Sequence, residues 1–149
     1  MDSWFFDEVA KVASSSAPAD APAMLERNAP AGAMAPLHVR RVDESYLVIA
    51  GEITFFVGEE TVTARAGDAV VAPGGLPRTF RVESERGARW LVVTRVRSLD
   101  RFHDFGRAVS RPVERPDAGW PSPDEEAAVT AIARANGIEL LGPPGLLPG

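Results

Sequence analysis

Between residues 37 and 97, apolar side chains recur in short alternating runs, and each run ends at a glycine, a proline or a charged break. SYLVIAG, ITFFVG, ETVTARAG, DAVVAPGG, RTFRVES and ARWLVVTRV are rich in Val, Ile, Phe and Thr, the residues that suit a pleated, half-buried surface. Runs this frequent, with no helical segment between them, predict an all-β antiparallel barrel or sandwich. Period-two alternation sets His38 and Arg40 on one face of a strand. It sets Glu44, Tyr46 and Val48 on one face of the next, and Arg78, Phe80 and Val82 on one face of another.

The flanks read differently. Residues 3–12, SWFFDEVAKV, predict a strand or short amphipathic segment, and residues 13–23, with their small residues and prolines, a flexible loop. A short strand is expected over 24–28, followed by a turn-rich entry over 29–36. Helices come late. SLDRFHDFGR, 98–107, carries Ser98 as a candidate N-cap and apolar residues at Leu99, Phe102 and Phe105. His103 falls on another face of that helix and reads as a surface or cap-region histidine. An Arg/Pro-rich linker fills 108–121. A second helix is predicted over 123–136, with Ser122 and Glu125 as a capping box, Pro123 at its first position and Gly137 as its stop. The apolar, proline-broken tail IELLGPPGLLPG is expected to pack on the barrel or on a second subunit. The chain thus divides into a barrel with its N-terminal strand segment (1–107) and a C-terminal linker, helix and tail (108–149). No internal repeat or second domain is visible.

Composition narrows the function classes. Hydrophobic residues make up 45% of the 149 residues and charged residues 25%, as in a globular protein. No apolar run approaches the roughly 18 residues that cross a bilayer, and the acidic start MDSWFFDEVAKV lacks a signal peptide's basic and apolar regions. A cytoplasmic protein with no membrane partner is expected. The net charge of −5 argues against a nucleic-acid partner. The absence of cysteine rules out disulfides, thiolate metal sites and cysteine nucleophiles. Of 16 basic residues only Lys11 is a lysine, a bias of the whole chain that weakens any argument from one arginine's fork geometry.

Two spaced motifs carry the chemistry. Gly32 is followed by five residues, then His38, Val39, Arg40, three residues, Glu44, six residues and Gly51. Gly67 is followed by five residues, then Pro73, Gly74, Gly75, two residues, Arg78, three residues and Val82. These segments resemble the two motifs of the cupin superfamily, whose first motif has H-x-H before its glutamate and whose second has a histidine and an asparagine after P-x-G. Gly32, His38, Glu44, Gly51, Gly67, Pro73 and Gly75 match in spacing. Positions 40 and 78 carry arginine in place of histidine, and Val82 stands in place of asparagine. The resemblance covers about residues 24–97, and the flanks are compatible with small quercetin-dioxygenase-like members. It implies a cupin β-barrel (a double-stranded β-helix, or jelly roll) with short C-terminal helices.

In metal-binding cupins the two motif histidines, the glutamate and the later histidine hold one divalent ion. The resemblance extends to His38 and Glu44 alone among these. A guanidinium has no lone pair and stays protonated, so Arg40 and Arg78 cannot be ligands. Two ligands are lost and two positive charges added, which predicts a former metal site and no metal or other cofactor. One arrangement open to these groups is an inert Glu–Arg cluster plugging the barrel, although desolvation makes such a cluster a poor source of stability. The other is a pocket whose surplus positive charge suits an anionic or oxyanion-bearing ligand. Phe55 or Phe56, Phe80 and Trp90 are candidate walls, although each taken singly reads first as plain core, and Tyr46 is a candidate phenolic acid or hydrogen-bond donor that also reads first as core packing.

His38 is the best candidate base, neutral near pH 7 beside two guanidinium groups; the alternative is a relic histidine hydrogen-bonded to Glu44. The leading expectation is a metal-independent enzyme of the isomerase, cyclase or lyase type, of the kind used in secondary metabolism. It would act on a small oxygenated molecule, aromatic or polyketide-like and anionic. His38 would be base, with Glu44 as its orienter or acid partner, and Arg40 and Arg78 would bind an enolate or carboxylate. A non-catalytic small-molecule binder and a metal-dependent dioxygenase are the competing readings. A homodimer is expected, with WFF at 4–6 and the C-terminal tail as interface.

Overall fold

The computed structural model describes residues 8–12, 18–109 and 123–149. Among the described residues, ten strands form two five-stranded sheets whose pairings are all antiparallel. One sheet runs β1 (Glu8–Val12), β2 (Pro22–Ala29), β9 (Ala88–Arg95), β4 (Glu44–Ala50), β7 (Ala69–Ala72). The other runs β10 (Ile138–Pro144), β3 (Pro36–Arg40), β8 (Arg78–Val82), β5 (Glu52–Val57), β6 (Glu60–Arg65). Each of the six alternating runs is a strand. The short strand expected over 24–28 extends from Pro22 to Ala29, because pairing with β9 along its whole length outweighs the prolines before it.

Alternation sets which side chains enter the core. On β9, Ala88, Trp90, Val92 and Thr94 are buried while Arg89 and Arg95 are exposed. On β2, Ala23, Leu25 and Ala29 point the same way. Inward aromatics from both sheets meet in a row. Tyr46 stacks on Phe55 (centroids 4.8 Å), Phe55 tilts against Phe80 (6.5 Å), and Phe80 meets Trp90 edge-on (5.0 Å). Each such pair adds about 0.5–1.5 kcal/mol beyond its buried area. Here they also tie β4 and β9 of one sheet to β5 and β8 of the other.

The turns explain why the motif glycines are glycines. Gly51 has φ +85°, and a Cβ there would lie 2.5 Å from the Gly87 carbonyl oxygen. An L-side chain is excluded twice, by backbone conformation and by space. Gly74 meets the same spatial limit, with a Cβ placed 2.5 Å from the Arg41 carbonyl oxygen. This close approach matters for the site, since it presses the turn before β8 against the turn after β3.

Helix α1 (Val96–Val109) follows β9 directly, and α2 (Pro123–Ala135) leads into β10. Ser98 is therefore not the N-cap; it lies inside the first turn, where its oxygens serve another purpose described below. Gly137, at φ +76°, ends α2 as expected. The tail does more than pack on the barrel. It becomes β10 and pairs with β3, Ile138 opposite Arg40 and Leu140 opposite His38. Ile138 joins Phe105, Val129 and Ala133 in a second small core between the helices and this sheet. The WFF segment, Ser122, most of the 108–121 linker and the His103 side chain lie outside the described residues.

Candidate functional site

Arg40 ends β3, Glu44 begins β4, and the intervening turn is held by the PGG turn of the second motif. Asp43 Oδ1 accepts the Gly74 N–H at 2.7 Å, and the Gly75 N–H donates to the Arg40 carbonyl at 2.8 Å. β8 starts three residues later, with Arg78 paired across the sheet to His38. His38, Arg40, Glu44 and Arg78, apart in sequence, thus converge at one place in the barrel.

Glu44 is the hub. Its Oε2 accepts from Arg40 Nη1 at 2.8 Å; its Oε1 accepts from Arg78 Nη1 at 3.1 Å and from the Tyr46 hydroxyl at 3.0 Å. Glu44, Arg78 and Arg40 are all buried. Burial alone would raise the Glu44 pKa, but the charges of Arg40 and Arg78 outweigh it and hold the carboxyl below its ordinary value. Burial, and then the Glu44 charge, raise the Tyr46 phenol above its ordinary value. With its proton directed at Glu44, Tyr46 in this arrangement holds the carboxylate and is a poor proton donor.

Glu44 is not the only acceptor answering the arginines. Arg40 Nη2 donates to the Ser98 carbonyl at 2.8 Å and to the Ser98 hydroxyl. Arg78 Nη2 donates to the Pro73 carbonyl at 2.9 Å and makes longer contacts to the carbonyls of Arg40 and Val42. Carbonyl dipoles therefore absorb much of the surplus charge. Arg78 Nε, by contrast, is buried without a partner among the described residues, as is Thr94 Oγ1.

His38 is not hydrogen-bonded to Glu44. Its Nδ1 lies 2.8 Å from the Pro36 carbonyl, which can only accept, so Nδ1 carries the proton and Nε2 the lone pair. The Pro36 carbonyl, rather than Glu44, is the orienting group. Burial chiefly, together with the charges of Arg40 and Arg78, lowers the His38 pKa to about 4, against the opposing Pro36 bond. His38 is neutral at pH 7 and a weak base.

These groups line a cavity of about 90 Å³ inside the barrel. Its walls include Phe55, Phe80, Trp90 and Tyr46, with Phe102 of α1 and Leu140 of β10. Phe56 faces elsewhere, beneath Arg81 (5.4 Å from guanidinium carbon to ring centroid). A space of this size holds a few water-sized groups, well below the roughly 300–1,000 Å³ of drug-sized sites.

The sequence reading missed several participants. Arg27 lines the cavity and lies over both Trp90 (5.8 Å) and Phe102 (5.2 Å). Its parity with Leu25 on β2 was the available signal. Ser98 was read as a cap, and the carbonyls of Pro36 and Pro73 carry no side-chain signal at all.

A divalent ion is poorly matched by these donors. Of the four positions that hold the ion in metal-binding relatives, two are guanidinium groups, and both are bonded to the one carboxylate. No group of three or more His, Cys, Asp or Glu suited to a metal occurs among the described residues.

Two antiparallel sheets facing each other over an inward-facing polar cluster define the jelly-roll class of small β-barrel proteins. The Cupin domain family matches residues 25–94, and the chain belongs to the cupin superfamily. Among solved structures, TT1209 from Thermus thermophilus is similar at 30% identity, over 60% of this chain and 82% of that one, with TM-score 0.52. The DMSP lyase DddQ from Ruegeria pomeroyi shares 32% identity over 51% of this chain and 39% of its own, with TM-score 0.47. The Cnp3 cupin domain of Schizosaccharomyces pombe has 16% identity, coverage of 66% and 65%, and TM-score 0.51. No curated protein matches the sequence. No helix among the described residues is long and apolar enough to cross a membrane.

Proposed function

We propose that this chain is a metal-independent cupin that binds a small oxygen-bearing molecule in its barrel and moves a proton on it. The observation that carries this reading is the Arg40–Glu44–Arg78 cluster, in which two guanidinium groups that cannot ligate a cation stand at ligand positions of the family and engage both oxygens of the one carboxylate there. His38 presents Nε2 as the acceptor for a proton, positioned by the Pro36 carbonyl. Arg78, with an unpartnered buried Nε, is the group best suited to a ligand carbonyl or enolate oxygen. In the reaction class supported, Nε2 removes a proton from carbon beside a carbonyl. The electron pair moves onto the carbonyl oxygen, the proton held at Nε2 exchanges with solvent, and a proton is then delivered to another carbon as the electron pair returns, giving an isomerisation; where the enolate carbon instead attacks a second carbonyl of the same molecule, that carbonyl's oxygen takes the proton and a ring closes. The cavity volume favours a compact substrate; an aromatic or polyketide-like one requires α1 and β10 to move outward.

A second reading, a non-catalytic binder, is supported by the low pKa of His38, since a weaker base abstracts protons less readily. A metal-dependent dioxygenase would need donors that Arg40 and Arg78 do not supply. The proposal extends to a cytoplasmic homodimer without a nucleic-acid partner; Val71, Leu47 and Ile49 are exposed apolar residues available to a second copy.

The test is a screen of small carbonyl acids and their esters for binding and for exchange of the α-proton in deuterated water. Exchange by the wild type that is lost in His38→Ala supports the enzyme. Binding without exchange in either protein supports the binder. Stoichiometric tightly held metal in the purified protein would overturn both.

A further inference from the structure

A second concavity lies outside the barrel, where the β3–β4 turn, the start of α1 and the end of α2 meet. It is an open cleft of about 490 Å³ lined by Arg40, Arg41, Arg95, Arg97 and Arg101, with Asp20 as its carboxylate. Arg40 is the lining residue it shares with the barrel cavity, and the bonds to Glu44 and Ser98 engage its guanidinium. The other four arginines are exposed and form no ion pair among the described residues. In a chain of net charge −5, four such cations around one cleft form a local field opposite in sign to the whole.

The backbone holds these arginines together. The N–H groups of Val96 and Arg97 donate to the carbonyls of Ala21 (3.0 Å) and Ala19 (2.9 Å). Arg95 Nη1 donates to the Asp20 carbonyl at 2.6 Å. The segment 19–21 is thereby pinned to the start of α1, and Arg95 and Arg97 are set at the mouth of the cleft. Arg101 lies against Gly137, its Nη1 3.1 Å from where a Cβ would stand, which places it beside the end of α2. The start of α1 adds to the same positive field. Its first turn holds no acidic residue and includes Arg97, a cation where the helix dipole already places positive charge. A bound anion would relieve that repulsion.

We propose that this cleft binds a soluble phosphate-bearing small molecule of the pyrophosphate or nucleotide type, whose oxyanions pair with Arg41, Arg95, Arg97 and Arg101. Guanidinium forks match phosphate oxygens bidentately, and several of them suit a di- or triphosphate better than a single carboxylate. The cleft is also several times roomier than the barrel cavity.

Isothermal titration of the full chain with inorganic pyrophosphate, at about 50 mM and then about 300 mM salt, tests this. Saturable one-to-one binding that weakens with salt is expected, reduced about tenfold or more in Arg97→Glu/Arg101→Glu. Those residues lie outside the barrel cluster, so an unchanged circular dichroism spectrum and cooperative thermal unfolding show that the variant is folded. Should it fail to fold, arginine Nε–H resonances of the wild type give the second measurement, with Arg95, Arg97 and Arg101 shifting together on addition of pyrophosphate. No binding by the wild type, or affinity unchanged within about twofold in the folded charge-reversed variant, overturns the proposal. Binding to phosphatidate vesicles or to long single-stranded oligonucleotides, with none to pyrophosphate, also overturns it.

Discussion

Arg78 donates to Glu44 at 3.1 Å from a strand of the opposite sheet, with only 2% and 4% of the two side chains exposed. The ion pair therefore crosses the interior of the barrel and joins its two sheets at the position where metal-binding relatives place an ion.

Removing the negative partner leaves two guanidinium groups in that interior. Glu44→Gln is expected to destabilise the fold by about 3–5 kcal/mol, the usual penalty for stranding buried charge. Denaturant unfolding measures it. A loss below about 1 kcal/mol would mean that the carbonyls of Ser98 and Pro73 suffice to hold both arginines.

The same geometry makes the site convertible. Arg40→His/Arg78→His places imidazoles beside His38 and Glu44, restoring four potential ligands of the kind that hold nickel, copper or zinc. Metal titration is expected to show one-to-one binding in the double variant and none in the wild type. A double variant that folds and binds no metal would show that these backbone positions have shifted from the family geometry.

Acid is expected to weaken the fold through two groups at once. The His38 pKa is lowered from 6.5 to about 4 in the folded state, so between these values the unfolded chain binds more protons. Its contribution is complete above about pH 6.5 and lost as pH falls through 4. Glu44, also lowered, adds a loss at the acid end of that range. NMR titration should show the ring of His38 neutral at pH 6, in the Nδ1–H form. A His38 pKa near 6.5 would contradict the cause assigned here, and any proton transfer by His38 would then lose its activity nearer neutral pH.

The tail strand should matter as much as the barrel strands. Ile138 is 4% exposed and joins β10 to the core formed with Phe105, Val129 and Ala133. Ile138→Ala is expected to cost about 2–5 kcal/mol and to loosen the cover over the cavity. Thermal unfolding and binding of a hydrophobic dye read both effects; an unchanged Tm would show that β10 is held by its pairing with β3 alone.

Much of this protein was legible in one dimension because strand alternation and turn chemistry are local. The six alternating runs fix six strands, and the spacing of Gly32, His38, Glu44, Gly51, Gly67, Pro73 and Gly75 fixes the family. That Arg40 and Arg78 cannot be metal ligands is equally legible, since a guanidinium's inability to ligate depends on no neighbour. Only the tertiary structure could decide what answers those charges. The carbonyl oxygens of Ser98, Pro73 and Pro36 are backbone atoms, identical at every position in sequence, and their roles come from where the chain brings them. The same holds for the tail, whose prolines argued for an irregular segment. The open edge of β3 supplied hydrogen-bond partners that no local pattern records, and with them a tenth strand.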